Sequence, residues 1–325
     1  MRIAVTGATG HVGVNLVKSL VSRGFDVAIL VRKNPGAFNG LDVKQVKGDV
    51  LLPDSLVDLC KDADVVIHLA ALITVGSKMN GGVVAINVDG TKNIVTVARK
   101  SGVRKFIHFS SVDTLVHKPI NEVMDETRPI SNSTSNPYEY TKAIAEKWVL
   151  EQQSKDFDVV VLNPSVIVGP EDLGPSLMGS FICDAITGAI PGVIPGGYDF
   201  VDVRDVVNAT INSIEKGRGG EKYIISGRWV SVKEVSDLLA DVSGAKRKLP
   251  VYPLWLAKLG IPFLYMFSKL KGTQPIYNSE SLSILQSSNR KISAHKAKVE
   301  LDFHSRPLVE TLSDTYRWFK ENNYF

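Results

Sequence analysis

The sequence predicts an α/β fold: a doubly wound parallel sheet with a smaller, mainly helical C-terminal domain. Three observations carry that expectation. Short Val- and Ile-rich runs alternate with amphipathic stretches through the first half of the chain. A glycine-rich loop, Thr6-Gly7-Ala8-Thr9-Gly10-His11-Val12-Gly13, joins the first run to the first amphipathic stretch. After Pro164 the alternation breaks into turn signals such as Gly169-Pro170, Gly174-Pro175 and Pro195-Gly196-Gly197.

Size and composition agree. The chain has 325 residues, 44% hydrophobic and 22% charged. That allows one large domain, or one domain with an appendage, and excludes disordered, collagen-like and multi-span membrane chains. The net charge of +4, from 38 basic and 34 acidic residues, is too mild for a nucleic-acid groove. Two cysteines, Cys60 and Cys183, cannot build a disulfide framework or a four-ligand zinc site, so free thiols in a reducing compartment are expected. The opening Ile3-Ala4-Val5 run is far too short for a signal-peptide core, which points to a cytoplasmic chain.

The strands are expected at Ile3–Val5, Val27–Val31, Val43–Val46, Val65–Leu69, Phe106–Phe109 and Val159–Leu162. Most lack polar alternation, as strands buried on both faces do. Helical patterns over His11–Arg23, Asp54–Cys60, Gly82–Ser101 and Pro137–Ser154 lie between them. A further helix near Val203–Lys216 and a strand near Tyr223–Ser226 follow the turn-rich stretch. Val251–Phe267 is apolar but interrupted by Pro253, Lys258, Gly260 and Pro262, so it does not read as a spanning helix. Core or pocket lining is the plain reading; peripheral membrane attachment is the sharper one.

In the glycine loop, Gly7 permits a tight turn, Gly10 lets backbone approach a pyrophosphate, and Gly13 lets the helix pack on the sheet. The helix N-terminus then offers free N–H groups to phosphate. A dinucleotide is the expected ligand. The second strand ends in Val31-Arg32-Lys33, with no acid to bind ribose hydroxyls. Arg32 and Lys33 favour the 2′-phosphate of NADP(H), with NAD(H) as the alternative.

Tyr138 and Lys142 are four residues apart at the start of a predicted helix, so they share one face. A lysine ammonium beside a phenol stabilises the phenolate and prepares it for proton transfer. Tyr140 has Ile144 at the same spacing and is a decoy. The predicted strand at Phe106–Phe109 ends in Ser110-Ser111, at the strand end where ligands gather in doubly wound sheets. Either hydroxyl could orient a substrate oxygen; His108 reads as a buried structural histidine rather than a base.

The glycine loop, Ser110-Ser111 and Tyr138-x-x-x-Lys142 together resemble the extended short-chain dehydrogenase/reductase superfamily, over nearly the whole chain. The resemblance implies a Rossmann fold and a catalytic triad of Ser111, Tyr138 and Lys142, with Lys142 also holding ribose hydroxyls. It implies an adenine contact at Asp49-Val50, a nucleotide floor at Leu69-Ala70-Ala71, and a segment beneath the nicotinamide at Asn163-Pro164-Ser165. Tyr198–Val206 resembles the branch's return to the sheet. The cofactor domain would then comprise residues 1–169 and 198–227, and the substrate domain 170–197 and 228–325. A homodimer is the family's common assembly.

Among the subgroups, Asn163–Pro170 and Pro175–Tyr198 look most like bacterial dihydroflavonol-4-reductase-like proteins. The expected reaction is NADP(H)-dependent reduction of a ketone or aldehyde on a small, mostly apolar substrate. The rivals are an NAD-dependent sugar-nucleotide epimerase/dehydratase, a hydroxysteroid dehydrogenase and, outside enzymes, a dinucleotide-sensing regulator. An intact Ser-Tyr-Lys set weighs against the last.

Overall fold

A computed structural model describes residues 1–33, 36–73, 81–132, 136–245, 248–256 and 285–325. Most of the Val251–Phe267 stretch therefore lies outside the described residues. The main sheet contains seven strands: β1 (Arg2–Thr6), β2 (Asp26–Val31), β3 (Lys44–Lys47), β4 (Val65–His68), β5 (Lys105–Phe109), β6 (Asp158–Pro164) and β9 (Glu221–Ile225). Their order is β3-β2-β1-β4-β5-β6-β9, and every pairing is parallel.

The strand period of two distributes side chains to both faces. Ile3, Val5 and Ile29 join one core with Leu16, Val17 and Leu20 of α1 (His11–Ser22). The same core holds Val206, Ile211 and Ile214 of α7 (Val203–Lys216). Ala4, Ala28 and Leu30 join the opposite core, with Ile94 and Val95 of α4 (Thr91–Lys100) and Val149 of α5 (Pro137–Leu150). Helices α2 (Val57–Cys60) and α3 (Gly81–Val84) also precede α4, and Ala85–Gly90 is a π-helical stretch leading into it. The expected helix from Gly82 to Ser101 is thus one helical path with a widened middle. Both faces are covered, as continuous apolar strands require.

The smaller lobe adds a short sheet to the mainly helical expectation. It contains a three-stranded sheet of β7 (Val166–Val168), β8 (Gly197–Asp202) and β10 (Arg228–Ser231), in the order β10-β8-β7. The Tyr198–Asp202 stretch, expected in the return to the main sheet, is central in this small sheet instead. Only β9 returns beside β6. Alternation along β8 explains its position: Phe200 enters the small-lobe core while Val201 enters the main core. Helices α6 (Leu177–Thr187), α8 (Val232–Ser243) and α10 (Leu308–Glu321) supply Phe181, Val235, Leu312 and Phe319 to the small-lobe core. Helix α9 (His295–Glu300) packs on the main core through Ala297.

Two of the contacts that stitch the lobes are charged pairs. Arg306 donates to Asp205 through its backbone N–H (2.8 Å) and guanidinium (2.7 and 2.9 Å). Lys18 of α1 pairs with Glu171 at 2.6 Å. No described helix is long and apolar enough to cross a membrane. Cys60 and Cys183 are free thiols, pushed by burial to about 12 and about 11.

Candidate active site

The glycine loop takes its shape from contacts that no side chain could share. Gly7 has φ +70°, and a Cβ there would sit 2.5 Å from the Ala70 nitrogen. A Cβ on Gly13 would sit 2.3 Å from the Gly7 oxygen. Gly10 is the N-cap of α1; no side chain caps this end and its first turn has no acid. Its first N–H groups and positive dipole end are therefore open to an anion. Thr9 and Gly10 are exposed, and Val12 packs against the core. His11 Nε2 lies 3.0 Å from the Pro170 oxygen, tying the loop to the segment after β7.

The other expected cofactor residues are dispersed. Leu69 and Ala71 line the cavity described below, while the Ala70 N–H donates to Thr6 Oγ1 at 3.4 Å. Asp49 Oδ1 accepts from Leu51 N–H at 2.9 Å, and Val50 is buried in the core. Arg32 and Lys33 are exposed at the end of β2, with no hydrogen bond or ion pair among the described residues. Asn163 is fully buried behind the cavity and donates to the Ser111 oxygen at 3.0 Å. Pro164 and Ser165 line the cavity.

Helix α5 delivers Tyr138 and Lys142. Asn136 caps it, its side chain accepting from Tyr138 N–H (3.0 Å) and Glu139 N–H (3.4 Å). Pro137 opens the first turn, where its missing N–H costs nothing. Lys142 is 4% exposed and donates from Nζ to the Phe109 oxygen at the end of β5. Burial lowers its ammonium to about 8, opposed by the Glu146 carboxylate.

The two serines have separate partners. Ser110 Oγ donates to Glu146 at 2.5 Å. Ser111 Oγ donates to Asp113 Oδ2 at 3.1 Å and accepts from Asp113 N–H at 3.2 Å. Tyr138 departs from the expectation that its lysine lowers it. Burial pushes the phenol well above its ordinary value, Asp113 adds to the rise, and a hydrogen bond with Ser111 opposes it. The Lys142 ammonium is directed at the Phe109 oxygen, so the support expected from it is not the dominant influence on the phenol. His108 is fully buried and held neutral by burial.

One cavity of about 640 Å³ gathers Gly7, Gly10, His11, Val12, Leu69, Ala71, Ser111, Tyr138, Lys142, Pro164 and Ser165. Thr9, Gly13, Arg32, Lys33, Asp49, Val50, Ala70 and Asn163 are not among its lining residues. Sequence reasoning passed over Asp113, His117, Asp172 and Asp199, which line it too. Asp113 had a local signal, two residues past Ser111. His117 Nε2 stands 3.5 Å from Asp113 Oδ1, at the i,i+4 spacing. Asp172 and Asp199 had none, because they arrive from the small lobe. A separate open groove of about 590 Å³, between Asp125–Thr127, Glu221–Lys222 and Lys296, contains none of the expected site residues.

With that geometry in hand, likeness to known proteins is informative. The model for the NAD dependent epimerase/dehydratase family matches residues 3–226. The chain belongs to this family. It is an NAD(P)-dependent enzyme of alcohol and carbonyl groups. It is similar to sterol demethylase protein B of Methylococcus capsulatus, with 30% identity over 99% of both chains. It is also similar to a Synechocystis sp. protein, provisionally a dihydroflavonol 4-reductase, with 28% identity over 98% of this chain and 95% of that one. The crystal structure of gox2253 superposes with a TM-score of 0.82 at 28% identity, over 99% of this chain and 98% of that one.

The family implies a nicotinamide dinucleotide, and the residues fit one. Glycine is sterically required at positions 7 and 13, the α1 N-terminus is uncapped, and the cavity runs from this loop to Tyr138.

Proposed function

We propose that the chain is an NADP(H)-dependent reductase of a ketone or aldehyde on a small, mostly apolar substrate. The observation that carries this reading is the shared cavity. It brings Tyr138, Ser111 and Lys142 together with the glycine loop, then continues into a lining that includes Met178, Phe181, Phe200, Val232 and Leu285.

The bound cofactor supplies the hydride. The glycine loop and α1 N-terminus hold its pyrophosphate, Arg32 and Lys33 receive the 2′-phosphate, and Lys142 engages the nicotinamide ribose. Tyr138 donates its phenolic proton to the carbonyl oxygen as charge develops there. Its elevated value in the cofactor-free chain keeps the acid form populated at neutral pH. Ser111 orients the same oxygen after turning its hydroxyl from Asp113. Removing Ser111 or Tyr138 from this pairing disables orientation or proton delivery, respectively.

Charge weighs against a sugar-nucleotide substrate. Asp113, Asp172 and Asp199 line the cavity, and a second pyrophosphate would meet these acids. An apolar neutral carbonyl compound meets no such penalty. The test is NADPH consumption by the purified chain against ketones, aldehydes, flavonoids, steroids and nucleotide sugars. Turnover confined to apolar carbonyls is the expected result. Turnover of nucleotide sugars with no net NADPH consumption overturns the reading.

A further inference from the structure

Glu146 lies one helical turn beyond Lys142 on α5 and is completely buried. A buried carboxylate is costly unless charge and hydrogen bonds compensate it. Here three donors converge on one oxygen. Glu146 Oε2 accepts from Ser110 Oγ at 2.5 Å, Thr114 Oγ1 at 2.7 Å and Asn163 Nδ2 at 2.8 Å. The other oxygen, Oε1, has no hydrogen-bond partner among the described residues and lies 4.0 Å from Lys222 Nζ on β9.

We propose that Glu146 is a positioning residue for the reductase: from one helical turn away it sets the charge environment of Lys142, and its hydrogen bonds clamp together the strand ends carrying Ser111 and Ser165. This rests on the reading of Tyr138 and Lys142 given above. The clamp is explicit in the bonds. Ser110 and Thr114 flank Ser111, and Asn163, two residues before Ser165, also donates to the Ser111 oxygen.

An uncharged amide would satisfy the same donors but not the electrostatics. Glutamine offers a carbonyl oxygen to Ser110, Thr114 and Asn163, yet its amino group would face the Lys222 ammonium. The charged and titratable groups around Lys142 explain why an anion is needed. Lys222 approaches Glu146 from β9, while His108 on β5 and His68 on β4 are held neutral by burial, with Lys142 adding to the effect. Asp113 acts on Tyr138 from the turn after β5. Glu146 is the carboxylate that offsets the burial of Lys142, which titrates at about 8.

The test measures Lys142 directly, without cofactor or substrate. Lysine labelled with carbon-13 at Cε is titrated by NMR in the cofactor-free full chain, the Lys142 signal being assigned by its loss in Lys142→Arg. Glu146→Gln should lower the Lys142 midpoint by about one unit or more, as loss of a close opposite charge does. Lys222→Met should raise it, because it removes the cation 4.0 Å from Glu146 Oε1 and leaves that carboxylate to act on Lys142 alone. In turnover assays the alkaline limb of the kcat profile for carbonyl reduction should move the same way in each variant. A merely structural Glu146 would alter thermal stability and leave both midpoints alone. If Glu146→Gln does not fold, Lys222→Met decides. If wild type shows no carbonyl reduction, the functional reading fails while the NMR titration still tests the Glu146–Lys142 linkage. Unmoved Lys142 midpoints in the folded variants overturn the proposal.

Discussion

Tyr138 is governed by burial and by neighbours of opposite effect. Burial and Asp113 favour the protonated phenol, while Ser111 favours the phenolate. Asp113→Asn removes a negative charge from beside the phenol, so the phenolate becomes easier to form. In the oxidation direction, where phenolate is the base, the rising limb of kcat/KM should move to lower pH. A limb that stays fixed contradicts this electrostatic account. Arg32 makes a second residue-scale prediction. Arg32→Ala should weaken NADPH binding about 10- to 100-fold, the size of a lost charge-assisted bond to phosphate, and leave NADH nearly unaffected. Fluorescence titration checks it. Tyr138 and Lys142 were legible as a pair because helical spacing places them on one face, while the strand end left Ser110 and Ser111 open and only the family resemblance singled out Ser111. Asp113 and Glu146 went unread although each sits within four residues of a recognised one. A carboxylate in a turn or on a helix looks solvated until its burial is known.

At the scale of elements, the parallel strands and their covering helices were legible from apolar runs and their period. The small sheet was not. β7 is three residues long, and β8 alternates Phe200 and Val201 between two cores, so neither shows a one-sided pattern. Its length and pairing depend on β10, which comes from a distant part of the chain. β8 also carries an electrostatic cost. Asp199 is 4% exposed, and burial raises its carboxyl to about 6, opposed by the bond from the Gly227 N–H. The folded state therefore favours the protonated acid. That preference costs nothing below the unfolded value near 3.8 and is fully felt above 6. Asp199→Asn should stabilise the fold by about 1–3 kcal/mol at pH 8, with the gain shrinking as pH falls through 6. Denaturant midpoints at pH 8 and pH 5 test this; a gain independent of pH contradicts it.

Across the whole molecule, the cavity exists because the two sheets meet where β6 passes into β7. Pro164 ends β6 in the main sheet, Ser165 lies between, and Val166 begins pairing with Phe200 in the small sheet. Cofactor-side residues and small-lobe residues consequently face one space. The glycine loop could be read from local pattern, but the acids Asp172 and Asp199 could not, since only tertiary closure brings them into the cavity that Tyr138 lines. Under the proposed function, this shared space performs carbonyl reduction with Tyr138 as proton donor. The most direct measurement compares wild type with Tyr138→Phe for NADPH binding and for turnover of an apolar carbonyl substrate found in the panel. Retained binding with kcat reduced about 100- to 10,000-fold, the ordinary contribution of a general acid, is the predicted result. Tyr138→Phe turnover equal to wild type would contradict it.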